Sequence, residues 1–319
     1  MNSYTDTFSS ILVIVALISF ISFLRHIGLF KQEDSGLFAK IILNITLPAV
    51  VFSILSHSKT LVPEYLLIAL FILISEVILL FLAWLIGKRL NISDAQLGTL
   101  MLSSAFGSST LLGYVFIGQI FPSNEKALFE AVILSEIGVG IGFFTIGTMV
   151  AIYFGNSSSQ KQTPLQSMIV FLKSPLFLSI IAGAIYSLSG LPTQGLFFKE
   201  FFSAIEIVAK SNTFFVMLIV GVSLRFNGIS SILSLISVAV VLKLLLAPLL
   251  IWFSVVSTMN LTPLQIEVAV LETAMPTAMM TVALAAKYGC DAQLASKLIF
   301  VSTIVSIVTI TLITTLLVS

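Results

Sequence analysis

Charged residues are scarce in this chain: Asp, Glu, Lys and Arg make up 9% of its 319 residues, whereas 58% are apolar. Soluble domains carry about a quarter charged residues. This composition, with a mean hydropathy of +1.15, therefore excludes an ordinary soluble core. Cysteine is nearly absent too, and the single Cys290 rules out an internal disulfide or a cysteine metal site. The two histidines, His26 and His57, stand at the ends of apolar runs and read as headgroup-level residues, so no metal site is expected. A net charge of +1 offers no basic surface for nucleic acid. The opening decapeptide MNSYTDTFSS has no basic residue and no small-residue cleavage site follows Phe20, so the first apolar run is expected to be a retained span. No grouping of serine, histidine and acid and no HExxH motif lies within the apolar runs, which argues against an enzyme, and no motif calls for a cofactor.

What the chain has in abundance is oil in long runs. A transmembrane helix needs about 20 mostly apolar residues. Ten such runs occur, at 9–26, 38–55, 65–87, 96–121, 127–154, 171–188, 198–224, 229–257, 265–287 and 292–318. The expectation is an all-α membrane protein of ten transmembrane helices in a plasma (inner) membrane. Lysine and arginine are retained on the cytoplasmic side. With the N-terminus outside, the inner loops hold ten of them, among them Arg25, Lys88, Lys161, Arg225 and Lys287, and the outer loops hold three, Lys59, Lys126 and Lys199. Both termini are thus expected on the extracellular or periplasmic side.

The chain also resembles itself. Shifted by 169 residues, Asn91 meets Asn260, Gln96 meets Gln265, Leu102 meets Leu271 and Ala105 meets Ala274. Gly107 then falls on Pro276, so the helix breakers of the fourth and ninth runs coincide, each 11 residues after its glutamine. The polar stretch GNSSSQKQTP, 155–164, separates two groups of five runs. The division expected is a first repeat at 1–154, a cytoplasmic linker at 155–170 and a second repeat at 171–319. Five is odd, so the second copy enters the membrane upside down, as in the inverted repeats of secondary transporters.

A proline inside a helix removes an amide donor and clashes with the carbonyl four residues back, and in hydrocarbon the freed groups need protein, water or ligand as partners. A break at Pro276 is either a packing kink or one wall of a cavity whose second half-helix turns positive N–H groups toward an anion. Ser108, Ser109 and Thr277 follow the two breaks closely enough to help bind it, and Asn44 and Thr46 before Pro48 are further candidates. Glu272, four residues before Pro276, is costly when charged at membrane depth and is a candidate proton-coupling site. Glu76 and Lys243 lie 167 positions apart, close to the repeat offset, and could meet and neutralise each other. Glu206 and Lys210, four apart, have the spacing of a pair closed on one helix. Glu136 lies among glycines with no partner legible in the sequence.

Several segments carry a family resemblance. NITLPAVVFSIL, KLLLAPLLIW, LETAMPTAMMTVALAAKYGCDAQLAS and the following VSTIVSIVTI resemble the auxin efflux carrier family, which includes bacterial malate and malonate permeases and the plant auxin exporters. The resemblance implies two inverted five-helix repeats with broken, crossing fourth and ninth helices and an organic anion bound at the crossing. It implies that Pro276 is the crossover proline and that Lys243 and Pro248 are the family's basic residue and proline in the eighth helix. Val115 and Ser108 depart from the proline and asparagine often found at those places. A proton-coupled transporter of a malate-like dicarboxylate or auxin-like monocarboxylate is the reading this gives. A sodium-coupled symporter of the bile acid type and a membrane ligand sensor stand as alternatives. The partners expected are the organic anion, a proton or sodium ion and the lipid bilayer, with a homodimer left open.

Overall fold

A computed structural model describes residues 16–17, 19–31, 34–57, 63–122, 124–155, 169, 172–189, 191–192, 195–223 and 232–318. Helix accounts for nearly all of them. In chain order the helices are α1 (Asp34–Ile41), α2 (Leu47–His57), α3 (Pro63–Arg89), α4 (Asp94–Ala105), α5 (Tyr114–Ile120), α6 (Glu125–Ile133), α7 (Thr148–Phe154), α8 (Pro175–Ser189), α9 (Leu196–Ser223), α10 (Leu233–Val240), α11 (Ala247–Thr258), α12 (Pro263–Thr273), α13 (Met280–Tyr288) and α14 (Ala292–Val318). Several run together through wider π turns, at Ile42–Thr46, Ser109–Gly113, Leu134–Gly140, Phe143–Gly147 and Val241–Leu246.

Six continuous helices among the described residues are long and apolar enough to cross a membrane: Gly36–His57, Glu64–Arg89, Glu125–Phe154, Phe198–Ile219, Leu233–Thr258 and Ala292–Leu317. Ser109–Ile120 and Pro175–Ser189 are shorter apolar helices. The fourth expected run is split into α4 and the Ser109–Ile120 helix, and the ninth into α12 and α13. Residues 9–15 and 18 of the first run, and all of the expected linker except Gly155 and Ile169, lie outside the described residues.

Both split runs begin with the same device. Ser93 accepts from the Gln96 amide while the Gln96 side chain reaches back to the Ser93 N–H. Thr262 and Gln265 repeat this reciprocal cap 169 positions later, with Pro263 in the first turn, where its missing N–H costs nothing. The matched glutamines of the sequence therefore have a local cause: each closes a capping box.

Packing sorts the helices into two groups, each drawing on both halves of the chain. In one, α2 packs on α8 and α9, and α1 also lies against α9. Aromatic rings fill that group, with Phe52 stacked on Phe202 at 6.2 Å and His57 edge-on to Phe202 at 4.7 Å. In the other, α3 packs on α4 and the Leu134–Gly140 turn, α11 on α12, and α14 on α10, α12 and α13. The two groups meet where α2 touches α6. Many large apolar side chains face outward, among them Leu188, Ile207 and Phe253. Such a surface suits lipid and would be a liability in water.

Contact between α8 and α2 is close because Gly183 has no side chain. A Cβ there would stand 2.7 Å from Leu55 Cβ and 3.3 Å from Phe52 O. Overpacking costs about 1–3 kcal/mol, more than the few tenths of a kcal/mol that valine gains over glycine in helix propensity. Gly183→Val is expected to lower the thermal midpoint of the detergent-solubilised protein. An unchanged or higher midpoint would contradict this packing.

Candidate functional site

The two interruptions lie against each other. Residues 106–108 and 276–278 run antiparallel, with Gly107 bridged to Thr277. The Ser108 amide donates to Pro276 O at 2.7 Å, and the Ala278 amide to Phe106 O at 2.9 Å. The Thr277 amide donates to Ser302 Oγ at 3.2 Å, and its hydroxyl to Ser103 O at 2.8 Å. Each break thus satisfies the backbone that the other exposes. The amides directly after Gly107 and Pro276, proposed from sequence as anion donors, are already engaged, that of Ser108 in this pairing and that of Thr277 with Ser302. Donors free for a ligand move one turn onward. Leu112 and Gly113 donate to Ser108 O, while the amides of Ser109 to Leu111 open the next helix, where intrahelical acceptors are lacking.

A cavity of about 70 Å³ adjoins the pairing, with Gly107, Ser108, Ser109, Thr110, Ala278, Met279, Met280 and Glu136 in its wall. The starts of both second half-helices therefore face one space. It neighbours a larger, mainly apolar cavity of about 340 Å³, and Leu43, Phe143, Phe144, Leu176 and Met280 belong to both walls. Lys287 and Tyr288 line the larger one. That cavity takes Leu43, Asn44 and Leu176 from the first helix group and Phe143, Met280 and Leu284 from the second.

Of the residues singled out from sequence, Gly107, Ser108 and Ser109 line the small cavity. Pro276 and Thr277 form the pairing itself. Asn44 lies at the larger cavity, where its amide donates to Lys40 O at 2.8 Å. Thr46 is buried within the first helix group and donates to Asn212 Oδ1 at 2.8 Å, away from the small cavity. Lys243 is buried, donates to Thr273 O at 3.0 Å, and approaches so near that a Cβ on Gly107 would meet its Nζ at 2.9 Å. It thus caps the end of α12 with a cation, where the helix dipole favours one.

The acids are placed less simply. The Glu272 carboxyl is fully buried against Gly113, where a Cβ would lie 2.6 Å from Oε1, and neither oxygen has a hydrogen-bond partner among the described residues. Glu76 lies against Gly142 in the same condition. The expected Glu76–Lys243 ion pair is not formed as a direct contact, because Lys243 turns to the helix end instead. It stays within electrostatic reach of both Glu76 and Glu272. Glu206 and Lys210 do close on each other, at 3.1 Å on an exposed face.

Glu136, for which the sequence showed no partner, has two. Its Oε1 accepts from Tyr114 at 2.7 Å and from Thr110 at 2.9 Å. Ser135 joins the same net, 2.8 Å from both Ser109 Oγ and Thr110 Oγ1. Thr110, Tyr114 and Ser135 went unnoticed in the sequence because a hydroxyl in an apolar run looks the same whether it packs or binds. The signal present was the run SSTLLGY after the break, whose second, third and last residues all join this net.

Apolar helices on this scale, with two broken ones joined beside a small cavity, point to a membrane transport protein. Residues 7–314 match the family described as membrane transport protein, and the chain belongs to that family, the auxin efflux carrier-like transporters. It is similar to an uncharacterized transporter of Methanothermobacter thermautotrophicus, 26% identical over 311 residues that cover 97% of this chain and 96% of the relative. A second uncharacterized transporter, from Methanocaldococcus jannaschii, is 25% identical over 309 residues, covering 95% and 96%.

Lys243→Met removes the donor to Thr273 O and a cation facing two buried carboxyls. A lost hydrogen bond to a charged group costs about 1.5–3 kcal/mol. The thermal midpoint is expected to fall, and to fall further at high pH, because the carboxylates that Lys243 opposes lose their charge on acidification. Equal midpoints for variant and wild type across pH would show that the lysine does neither job.

Proposed function

We propose that this protein is a secondary active transporter that carries a small organic anion, a malate-like dicarboxylate or an auxin-like monocarboxylate, by alternating access with proton coupling. The observation that carries the reading is the pairing of the two broken runs over a cavity, in which two half-helix starts and the hydroxyls of Ser108 and Ser109 converge. Helix starts favour anions. Two helices are interrupted at the same depth for a reason other than packing if that space holds a ligand. In this reading the chain is two inverted five-helix repeats. The repeat-related capping boxes at Ser93 and Thr262 support it. It lies in a plasma (inner) membrane with both termini outside, as the lysine and arginine distribution favours.

The coupling proton is carried by a buried carboxyl. Two of them, Glu136 and Glu272, flank the first turn of the helix that starts at Ser109, one through Thr110 and Tyr114 and the other against Gly113. Counterflow of labelled malate and of labelled indole-3-acetate into proteoliposomes tests the reading. Uptake that rises on acidification and is indifferent to sodium is the expected result. Sodium-dependent uptake would replace the proton by sodium, and no uptake of either anion under any condition would remove this substrate class.

A further inference from the structure

The geometry points to Glu136 as the carboxyl that exchanges places with the transported anion, protonated when the anion occupies the small cavity and ionised when it leaves. This deepens the transport reading above and rests on it. Glu136 is 3% exposed, and it lies in the same wall as the two half-helix starts. Its Oε1 already takes two O–H donors, Thr110 and Tyr114, from the helix that begins at Ser109. The protein's own carboxylate thus holds the end of the helix that an external carboxylate would seek. Both of these hydrogen bonds fall on the one oxygen.

A second observation points to a ligand. Ser108 Oγ is buried in the wall of this cavity and has no hydrogen-bond partner among the described residues. A buried hydroxyl left without a partner is costly, and an anion's oxygen would satisfy it. The space, about 70 Å³, is too small for two carboxylates to remain ionised side by side. Anion entry therefore requires a proton on Glu136.

The other titratable groups around Glu136 fit a different role. Tyr114 donates to it. Glu272 is within electrostatic reach, but its carboxyl is wedged on Gly113 and is not in the cavity wall. Glu76, on α3, which packs on the turn that carries Glu136, lies against Gly142. The Nζ of Lys243 is engaged with Thr273 O. These groups bias Glu136, and Glu136 faces the ligand. In the cycle one proton enters with the anion and binds Oε2. When the anion leaves, the proton leaves too, and the carboxylate again stands alone at the helix start.

The test is counterflow of labelled malate and indole-3-acetate by wild type, Glu136→Gln and Glu272→Gln across pH. If one proton is taken up per anion, the wild-type KM rises by up to about tenfold per pH unit above the protonation range. Glu136→Gln, a neutral mimic of the protonated acid, is expected to hold the low-pH KM at every pH. Glu272→Gln is expected to displace the pH profile without flattening it. If Glu136→Gln folds poorly, Tyr114→Phe serves instead: it removes a donor that favours the carboxylate, so half-maximal uptake should move to higher pH. A pH-dependent KM that persists unchanged in Glu136→Gln, or an unmoved profile in Tyr114→Phe, overturns the proposal while leaving transport intact. Failure of wild type to take up either anion at any pH overturns the transport reading and this proposal with it.

Discussion

Hydrocarbon offers no hydrogen-bond partner to a bare peptide group, and much of this architecture follows from that. An isolated break in a membrane helix would strand several amides and carbonyls at a cost of several kcal/mol each. Here the break at Gly107 and the break at Pro276 are placed face to face, and each supplies the donors and acceptors that the other lacks. Ser103 and Ser302 then absorb what remains around Thr277. Neither interruption could stand without the other. The pairing leaves two helix starts side by side at one cavity, so a structural requirement of the backbone produces the space in which the proposed anion would sit.

Buried charge is managed by the same economy. Lys243 sits where a helix ends, and its charge serves the carbonyls of α12 while facing Glu76 and Glu272 without contacting them. Glu136 is instead supplied with hydroxyl donors, and Glu130, at the other end of α6's contact with α3, takes one from Tyr65 at 3.0 Å. Acids with donors and acids without coexist in one apolar body. π turns recur at these places: Glu136, Lys243 and the Ser109–Gly113 segment all lie in one. A π turn loosens the hydrogen-bond ladder and redirects side chains, which is why such turns gather at functional positions.

Much of this was legible in the sequence, and the reasons differ by feature. Helix and membrane character follow from composition and run length, properties that survive any detail of packing. The two breaks were legible because glycine and proline act on their own backbone. Partners were not, since they depend on how helices dock. The Glu76–Lys243 pairing looked sensible on repeat arithmetic, yet Lys243 is drawn to a helix end whose position only the break at Pro276 creates. Thr46 and Asn44 share one turn but face different neighbours, because residues two apart point to opposite sides of a helix. Glu136 was visible as an acid among glycines. Its importance came from Thr110 and Tyr114, one turn apart on a different helix.

Cys290 sits in the turn after α13, shielded from solvent, with its thiol directed at the Ala151 carbonyl 3.5 Å away. Burial, with Asp291 adding to it, pushes this thiol up to about 11, so at neutral pH it is a poor nucleophile. With respect to alkylating and spin-labelling chemistry the protein is close to silent. A cysteine placed on either helix group would therefore report the water exposure of its own position, which makes the closeness of the two groups at each stage of a cycle directly readable from the native background.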